Sequence, residues 1–147
     1  MESTISARPS LSSAVALLAS ARLPTEDLTE GHCQHFFFLG SGSAPEGLVG
    51  LELFGDVALL RSLVVSERLR GAGAGGRLLA HAEQQARSAG VSRLFLLTTT
   101  AEGFFVKHGF ARADREAAPA AIRATKEFSG ICPASSAFMV KQLRGLP

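Results

Sequence analysis

The chain has 147 residues, 46% of them hydrophobic and 19% charged, with a formal net charge of +2. Such a length fits a single domain over residues 1–147 with room for a real core, and the composition is that of an ordinary globular protein. The near balance of charge and the scatter of basic residues argue against a nucleic-acid partner, and no apolar run approaches the roughly 20 residues that a membrane span requires.

Residues 1–4 read as a frayed end, and Ile5 to Arg8 as a short strand before Pro9. Ser10 or Ser12 caps a helix from Leu11 to Ala21, where Leu11, Val15, Leu18 and Ala19 recur on one face and Pro24 is the stop. The apolar part of that helix is too short for a secretory leader and lacks a basic flank, so a cytoplasmic protein is expected. Glu26 and Asp27 open a short second helix reaching Glu30 before Gly31. Phe36–Leu39 reads as a strand, and Ser41–Gly47 as the turn of a hairpin into Leu48–Phe54. Gly55 and Asp56 turn the chain into Val57–Val65, a long apolar run of the kind found in the middle of a sheet.

The run RGAGAGG, Arg70 to Gly76, follows that strand and opens an amphipathic helix. Glycine lets the backbone approach an anion closely, and a helix start adds unpaired amides and the positive end of a dipole, so the loop predicts a diphosphate cradle. On the helix, Leu78, Leu79, Ala82, Ala86 and Ala89 form the inner face, and Arg77, Glu83, Gln84 and Arg87 the outer one, with Gly90 as the cap. Arg93–Thr100 is a strand parallel to the preceding one, Ala101–His108 a short helix ending at Gly109, and Phe110–Ala113 a strand. Pro119 starts a helix that continues through Ala121–Phe128 to Gly130, and Ser135–Leu143 closes the sheet. The order predicts a mixed α/β fold with antiparallel strands first and a βαβα unit second.

The loop lacks the Lys followed by Ser or Thr of a nucleoside-triphosphate loop, and its place in mid-chain is wrong for a dinucleotide fold. At these residues the chain resembles the GNAT superfamily of acetyl-CoA-dependent N-acetyltransferases. The superfamily signature, Arg or Gln, two residues, Gly, one residue, then Gly or Ala, is met by Arg70, Gly73 and Gly75. Leu63, Val64 and Val65 match the strand end that holds the pantetheine arm, and Ala101–Phe110 matches the helix near the cofactor thiol. The resemblance covers roughly residues 57–110 and implies a central mixed sheet of about six or seven strands flanked by helices, in the GNAT fold. It implies that acetyl-CoA, the cosubstrate, lies along Leu63, Val64, Val65, Arg70, Gly71, Ala72, Gly73, Ala74, Gly75, Gly76 and Phe105. Leu94–Phe110 looks like the acetyltransferase domain of N-acetylglutamate synthases. Ala118–Phe128 and Cys132–Ser136 resemble the GNAT proteins of arsenic-resistance operons, whose relatives acetylate the α-amine of arsenic- or phosphorus-containing glutamate analogues. Many superfamily members protonate the leaving thiolate with a Tyr where this chain has Phe105, and the sequence contains no Tyr at all.

Direct transfer needs a proton acceptor, an oxyanion donor and a substrate anchor. Glu52, the one carboxylate inside a predicted strand, is the candidate base or a surface group, and a backbone amide at Leu63 to Val65 the expected oxyanion donor, freed by a bulge. Arg61, inside an apolar strand, either clamps a substrate carboxylate or pairs with Glu52. Thr98 is a further substrate-side candidate; Arg123 is another, or a member of a solvated face. Arg68, Arg70, Arg77 and Lys107 are candidates for the phosphates. His32, Cys33 and His35 are explained as loop residues before a strand, and Cys33 and Cys132 as free thiols, so no metal is expected. The expectation is an acyltransferase, a monomer or homodimer, acting on a small-molecule amine of amino-acid type, with no membrane or nucleic-acid partner. A noncatalytic acyl-CoA-binding module and a protein or peptide N-acetyltransferase are the alternatives.

Overall fold

The computed structural model describes residues 4–131 and 135–143. Cys132 and the start of the Cys132–Ser136 segment lie outside the described residues, as do Met1 to Ser3 of the segment expected to fray. The strands are β1 (Ile5–Ala7), β2 (Phe36–Gly40), β3 (Pro45–Phe54), β4 (Val57–Val65), β5 (Arg93–Thr98), β6 (Ala111–Arg112) and β7 (Ala137–Gln142). The helices are α1 (Leu11–Ser20), α2 (Glu30–Cys33), α3 (Ala74–Ser88), α4 (Glu102–Lys107) and α5 (Ala120–Arg123). The strands hydrogen-bond in the order β1-β2-β3-β4-β5-β7-β6, giving a seven-stranded mixed sheet with flanking helices. Among the described residues no helix is long and apolar enough to cross a membrane.

The chain forms two compact units. The first comprises residues up to Glu52 together with Leu60–Gln85. In it β1 and β2 pair antiparallel (Ile5↔Leu39), as do β2 and β3 (Phe36↔Gly50), with an irregularity at Leu39/Gly40. Its apolar centre gathers Ala14 and Leu18 of α1, Cys33 of α2, Phe36 and Phe38 of β2, Leu48 of β3 and Val64 of β4. Gly50 exists to make room there, since a Cβ on it would overlap the Phe36 ring.

The second unit comprises Leu53–Leu59 and the chain from Ala86 onward. There β4 pairs in parallel with β5 (Val57↔Arg93 to Leu59↔Phe95), and β5 pairs antiparallel with β7 (Thr98↔Ala137). Its core holds Val57, Leu59, Phe95, Ala118, Ile122 and Phe138, with the Phe95 and Phe138 rings stacked at 5.4 Å.

Several local expectations are corrected. Helix α1 ends at Ser20, one residue short of the expected Ala21, where Arg22 takes a left-handed φ of 60° and Leu23 N–H returns to Leu18 O at 3.0 Å. The second helix starts at Glu30, beyond the expected Glu26. Thr29 caps it: its Oγ1 accepts the His32 N–H, while His32 Nδ1 accepts the Thr29 N–H at 3.1 Å. Strand β5 ends at Thr98, whose Oγ1 accepts the Ala101 N–H at 3.1 Å and turns the chain toward α4. Strand β6 shrinks to two residues because the Phe110 N–H is engaged by Phe105 O at 3.0 Å. The late helix breaks after Arg123, since Thr125 Oγ1 donates to Ile122 O at 2.7 Å and accepts from Phe128 N at 3.3 Å, replacing helical bonds. A separate wide turn, Glu127–Ile131, follows. On α3 the two faces exchange a member each: Glu83 is buried and Ala89 exposed.

Gly50→Ala should destabilise the protein by about 1–3 kcal/mol, the usual cost of overpacking, in urea denaturation. An unchanged midpoint would contradict the tight packing of β3 on Phe36.

Candidate functional site

Strand β4 leads into the loop through an unusual backbone. Ser62 has φ 62°, a left-handed residue inside an otherwise extended run, next to the expected oxyanion donors Leu63 to Val65. Val64 turns inward to the core, while Leu63 and Val65 are half-buried. A single turn at Glu67–Leu69 then carries the chain to Arg70.

Gly71 and Gly73 have φ of 83° and 82°, a conformation that side-chain-bearing residues rarely adopt. A Cβ at either would meet nothing within 4 Å, so glycine is required by the backbone and the loop stands open. Ala72 N–H donates to Leu69 O and Arg77 N–H to Gly73 O; among the described residues the amides of Gly73, Ala74, Gly75 and Gly76 have no backbone acceptor. They are the orphan donors of α3, a 15-residue helix whose positive dipole end lies there. Four amides and a dipole behind an open loop are features that suit an anion.

The basic side chains around the loop are partly committed. Arg68 gives a two-pronged contact to Glu46, with Nε and Nη2 each 2.6 Å from a carboxylate oxygen. Arg70 donates from Nε to Val65 O at 3.3 Å and remains largely exposed.

The same unit contains a buried charge cluster. Arg61, 3% exposed, places Nη1 at 2.5 Å from Asp27 Oδ2 and Nη2 at 2.8 Å from Oδ1, and Nη1 also lies 2.9 Å from Glu52 Oε2. This corrects the expected substrate clamp. The fork of Arg61 already grips a carboxylate, that of Asp27, and its side chain has no exposed surface. The alternative pairing with Glu52 is present as a single bond. His32 joins the cluster with Nε2 at 4.0 Å from Glu52 Oε1. Asp27, His32 and Glu52 offer ligand atoms within 4.8 Å of one another, but the cation on both carboxylates is the Arg61 guanidinium.

Burial pushes the Asp27 carboxyl up, yet the Arg61 hydrogen bonds and charge, with His32 adding to them, hold it below its ordinary 3.8. Cys33, beside this cluster in sequence, is buried, and burial pushes its thiol up, away from reactivity.

Asp27 is the member that sequence reasoning missed. Its one signal was Arg61 itself, a charge in an apolar strand that needed a full partner.

The remaining candidates belong to the second unit. Phe105 is buried, edge-on to Phe104 and Phe110 at 5.2 and 5.5 Å. Thr98 caps the turn into α4. Arg123 is exposed and bonds the carbonyls of Ala118, Arg115 and Glu116.

Residues 10–110 match the model of the acetyltransferase (GNAT) family. The chain belongs to that family. The family is one of acyltransferases that use acetyl-CoA as cosubstrate. The chain is 46% identical over 57 residues to the amino-acid acetyltransferase of Ralstonia nicotianae, covering 39% of this chain and 13% of that protein. It is 33% identical over 97 residues to the amino-acid acetyltransferase of Neisseria meningitidis serogroup A, covering 65% of this chain and 22% of that protein. The chain thus matches only a small part of these relatives' length. Among solved structures, N-acetylglutamate synthase from Neisseria gonorrhoeae, complexed with coenzyme A and L-arginine, has a TM-score of 0.81 and 28% identity over 98% of this chain and 34% of its own. Rv2747 from Mycobacterium tuberculosis, also in complex with CoA, shares the fold at a TM-score of 0.76 and 20% identity, over 96% of this GNAT chain and 99% of its own.

Asp27→Ala should destabilise the fold by about 3 kcal/mol, the lower end for breaking a buried pair, because Arg61 keeps Glu52. A group held below its ordinary value contributes stability above that value and loses it as pH falls through the folded one. The gap between wild type and Asp27→Ala in urea midpoint should therefore be full above about pH 4 and narrow below it. A gap that widens in acid would contradict the pairing.

Proposed function

We propose that this GNAT domain, a single domain over residues 1–147, transfers acetyl from acetyl-CoA to the amine of a small amino acid or amino-acid-like compound in the cytoplasm. The observation that carries the reading is the open loop at Gly71–Gly76 with its unpaired amides at the start of α3. The coenzyme diphosphate sits on those amides, with Arg70, Ala72 and Ala74 completing the loop, and the pantetheine arm runs along Leu63, Val64 and Val65.

The amine nitrogen attacks the thioester carbonyl carbon, and a backbone amide between Leu63 and Val65 steadies the oxyanion. Glu52 takes the amine proton, and collapse expels the coenzyme thiolate. Phe105 has no proton to offer, so water protonates the thiolate, a fair leaving group at a thiol pKa of roughly 8.5. Positioning by the loop supplies much of the rate. Thr98 and Arg123 are the second unit's groups assigned to the acceptor.

The amino-acid acetyltransferase relatives support an amino-acid acceptor. The resemblance of Ala118–Phe128 to arsenic-resistance GNAT proteins narrows it to glutamate or its arsenic- and phosphorus-containing analogues, on a monomer or homodimer.

Thiol release from acetyl-CoA should depend on glutamate, phosphinothricin or arsinothricin and not on peptides. Cofactor binding without any amine-dependent thiol would make the protein a binding module, and a preference for peptides a protein acetyltransferase. Gly73→Asp, which has space for its side chain but strains a backbone at φ 82°, should raise the dissociation constant of acetyl-CoA tenfold or more, on the order of 1.4 kcal/mol. Unchanged affinity in the folded variant would refute the cradle. Glu52→Gln should lower kcat by roughly a hundredfold or more while sparing cofactor affinity, and full activity would remove Glu52 from the reaction.

A further inference from the structure

The buried cluster has two carboxylates and one guanidinium, and they do not share it equally. Asp27 engages both η nitrogens, at 2.5 and 2.8 Å; Glu52 has a single bond of 2.9 Å to a nitrogen that Asp27 already holds. Asp27 is also the more enclosed, with 4% of its side chain exposed against 15% for Glu52. The second oxygen of Glu52 faces His32 Nε2 at 4.0 Å. His32 is turned that way by the α2 cap: Nδ1 accepts the Thr29 N–H, so the neutral ring carries its proton on Nε2 and presents a donor. The charged and titratable groups reaching Glu52 are thus Arg61 of β4, Asp27 of the turn after α1, and His32 of α2. None satisfies it fully, and Glu52 is the more exposed of the two acids.

We propose that Asp27 is a positioning residue for Glu52: by taking both η nitrogens of Arg61 it fixes the guanidinium beside Glu52 without letting it neutralise that carboxylate, which stays able to accept the amine proton. This rests on the reading of Glu52 as the base. A carboxylate that owned Arg61 in a two-pronged pair would hold its charge too firmly to take a proton, and one with no bond to it would swing freely. The arrangement gives Glu52 one bonded anchor at Oε2 and leaves His32 Nε2, 4.0 Å away, facing Oε1.

The test compares pH profiles of kcat/KM for wild type, Asp27→Asn, Asp27→Glu and Glu52→Gln with one amine substrate, whose own ionisation is common to all. Asp27→Asn removes the competing negative charge and hands Arg61 to Glu52, which favours the ionised form. The acid limb should move to lower pH and the plateau fall by roughly fivefold or more, as for a weaker base, with acetyl-CoA affinity unchanged and partial recovery in Asp27→Glu. An Asp27→Asn enzyme with the wild-type limb, or with a loss uniform across pH, overturns the proposal while Glu52→Gln remains inactive. A Glu52→Gln enzyme that keeps its rate and limb instead removes the base assignment itself. If Asp27→Asn does not fold, carboxyl-carbon NMR of the wild type decides: the Asp27 and Glu52 signals should each report the other's protonation, and independent titration overturns the proposal.

Discussion

Four consecutive amides at the start of α3 have no backbone acceptor among the described residues. They are the first-turn donors that any helix leaves unpaired, and the left-handed glycines at 71 and 73 shape the loop that leads into them. A Cβ on Gly71 or Gly73 would meet no described atom within 4 Å. An unpaired donor normally costs free energy unless water or a ligand serves it, so a set of them at a dipole's positive end selects for an anion with several oxygens. The left-handed Ser62 interrupts the apolar run of β4 next to Leu63–Val65, whose amides are the ones proposed to meet the thioester oxygen.

The second constraint is a buried arginine. A guanidinium with no exposed surface must be matched, and three elements contribute: Asp27 from the turn after α1, Glu52 from β3, and His32 from α2 at the edge of the cluster. Such a cluster contributes little net stability beyond an apolar replacement, but removing one partner is costly. Its value lies in geometry. It fixes the carboxylate of Glu52 on β3, whose chain continues through β4 to the glycine loop proposed for the cofactor.

What the sequence showed and what it hid follow one rule. Strand β4 matches its expected limits because a run of apolar residues between Gly55-Asp56 and Ser66 is a local pattern. The loop was legible for the same reason, as was the parallel pairing of β4 with β5. Asp27 was hidden because its partner lies 34 residues away, and an acid in a polar turn looks like any other surface acid. The break after Arg123 was hidden because Thr125 competes with the helix through its hydroxyl, an outcome decided by geometry rather than propensity. The end of α1 near Ala21 and an irregularity near Leu63–Val65 were expected, but the left-handed residues that make them, Arg22 and Ser62, were not legible, since neither residue type favours that φ.

A crystal structure of the protein grown with coenzyme A tests the central claim most directly. The account requires the diphosphate oxygens within hydrogen-bonding distance of the amides between Gly71 and Gly76, with the pantetheine arm along Leu63–Val65. A nucleotide bound elsewhere on the molecule, with those amides facing only solvent, would contradict it.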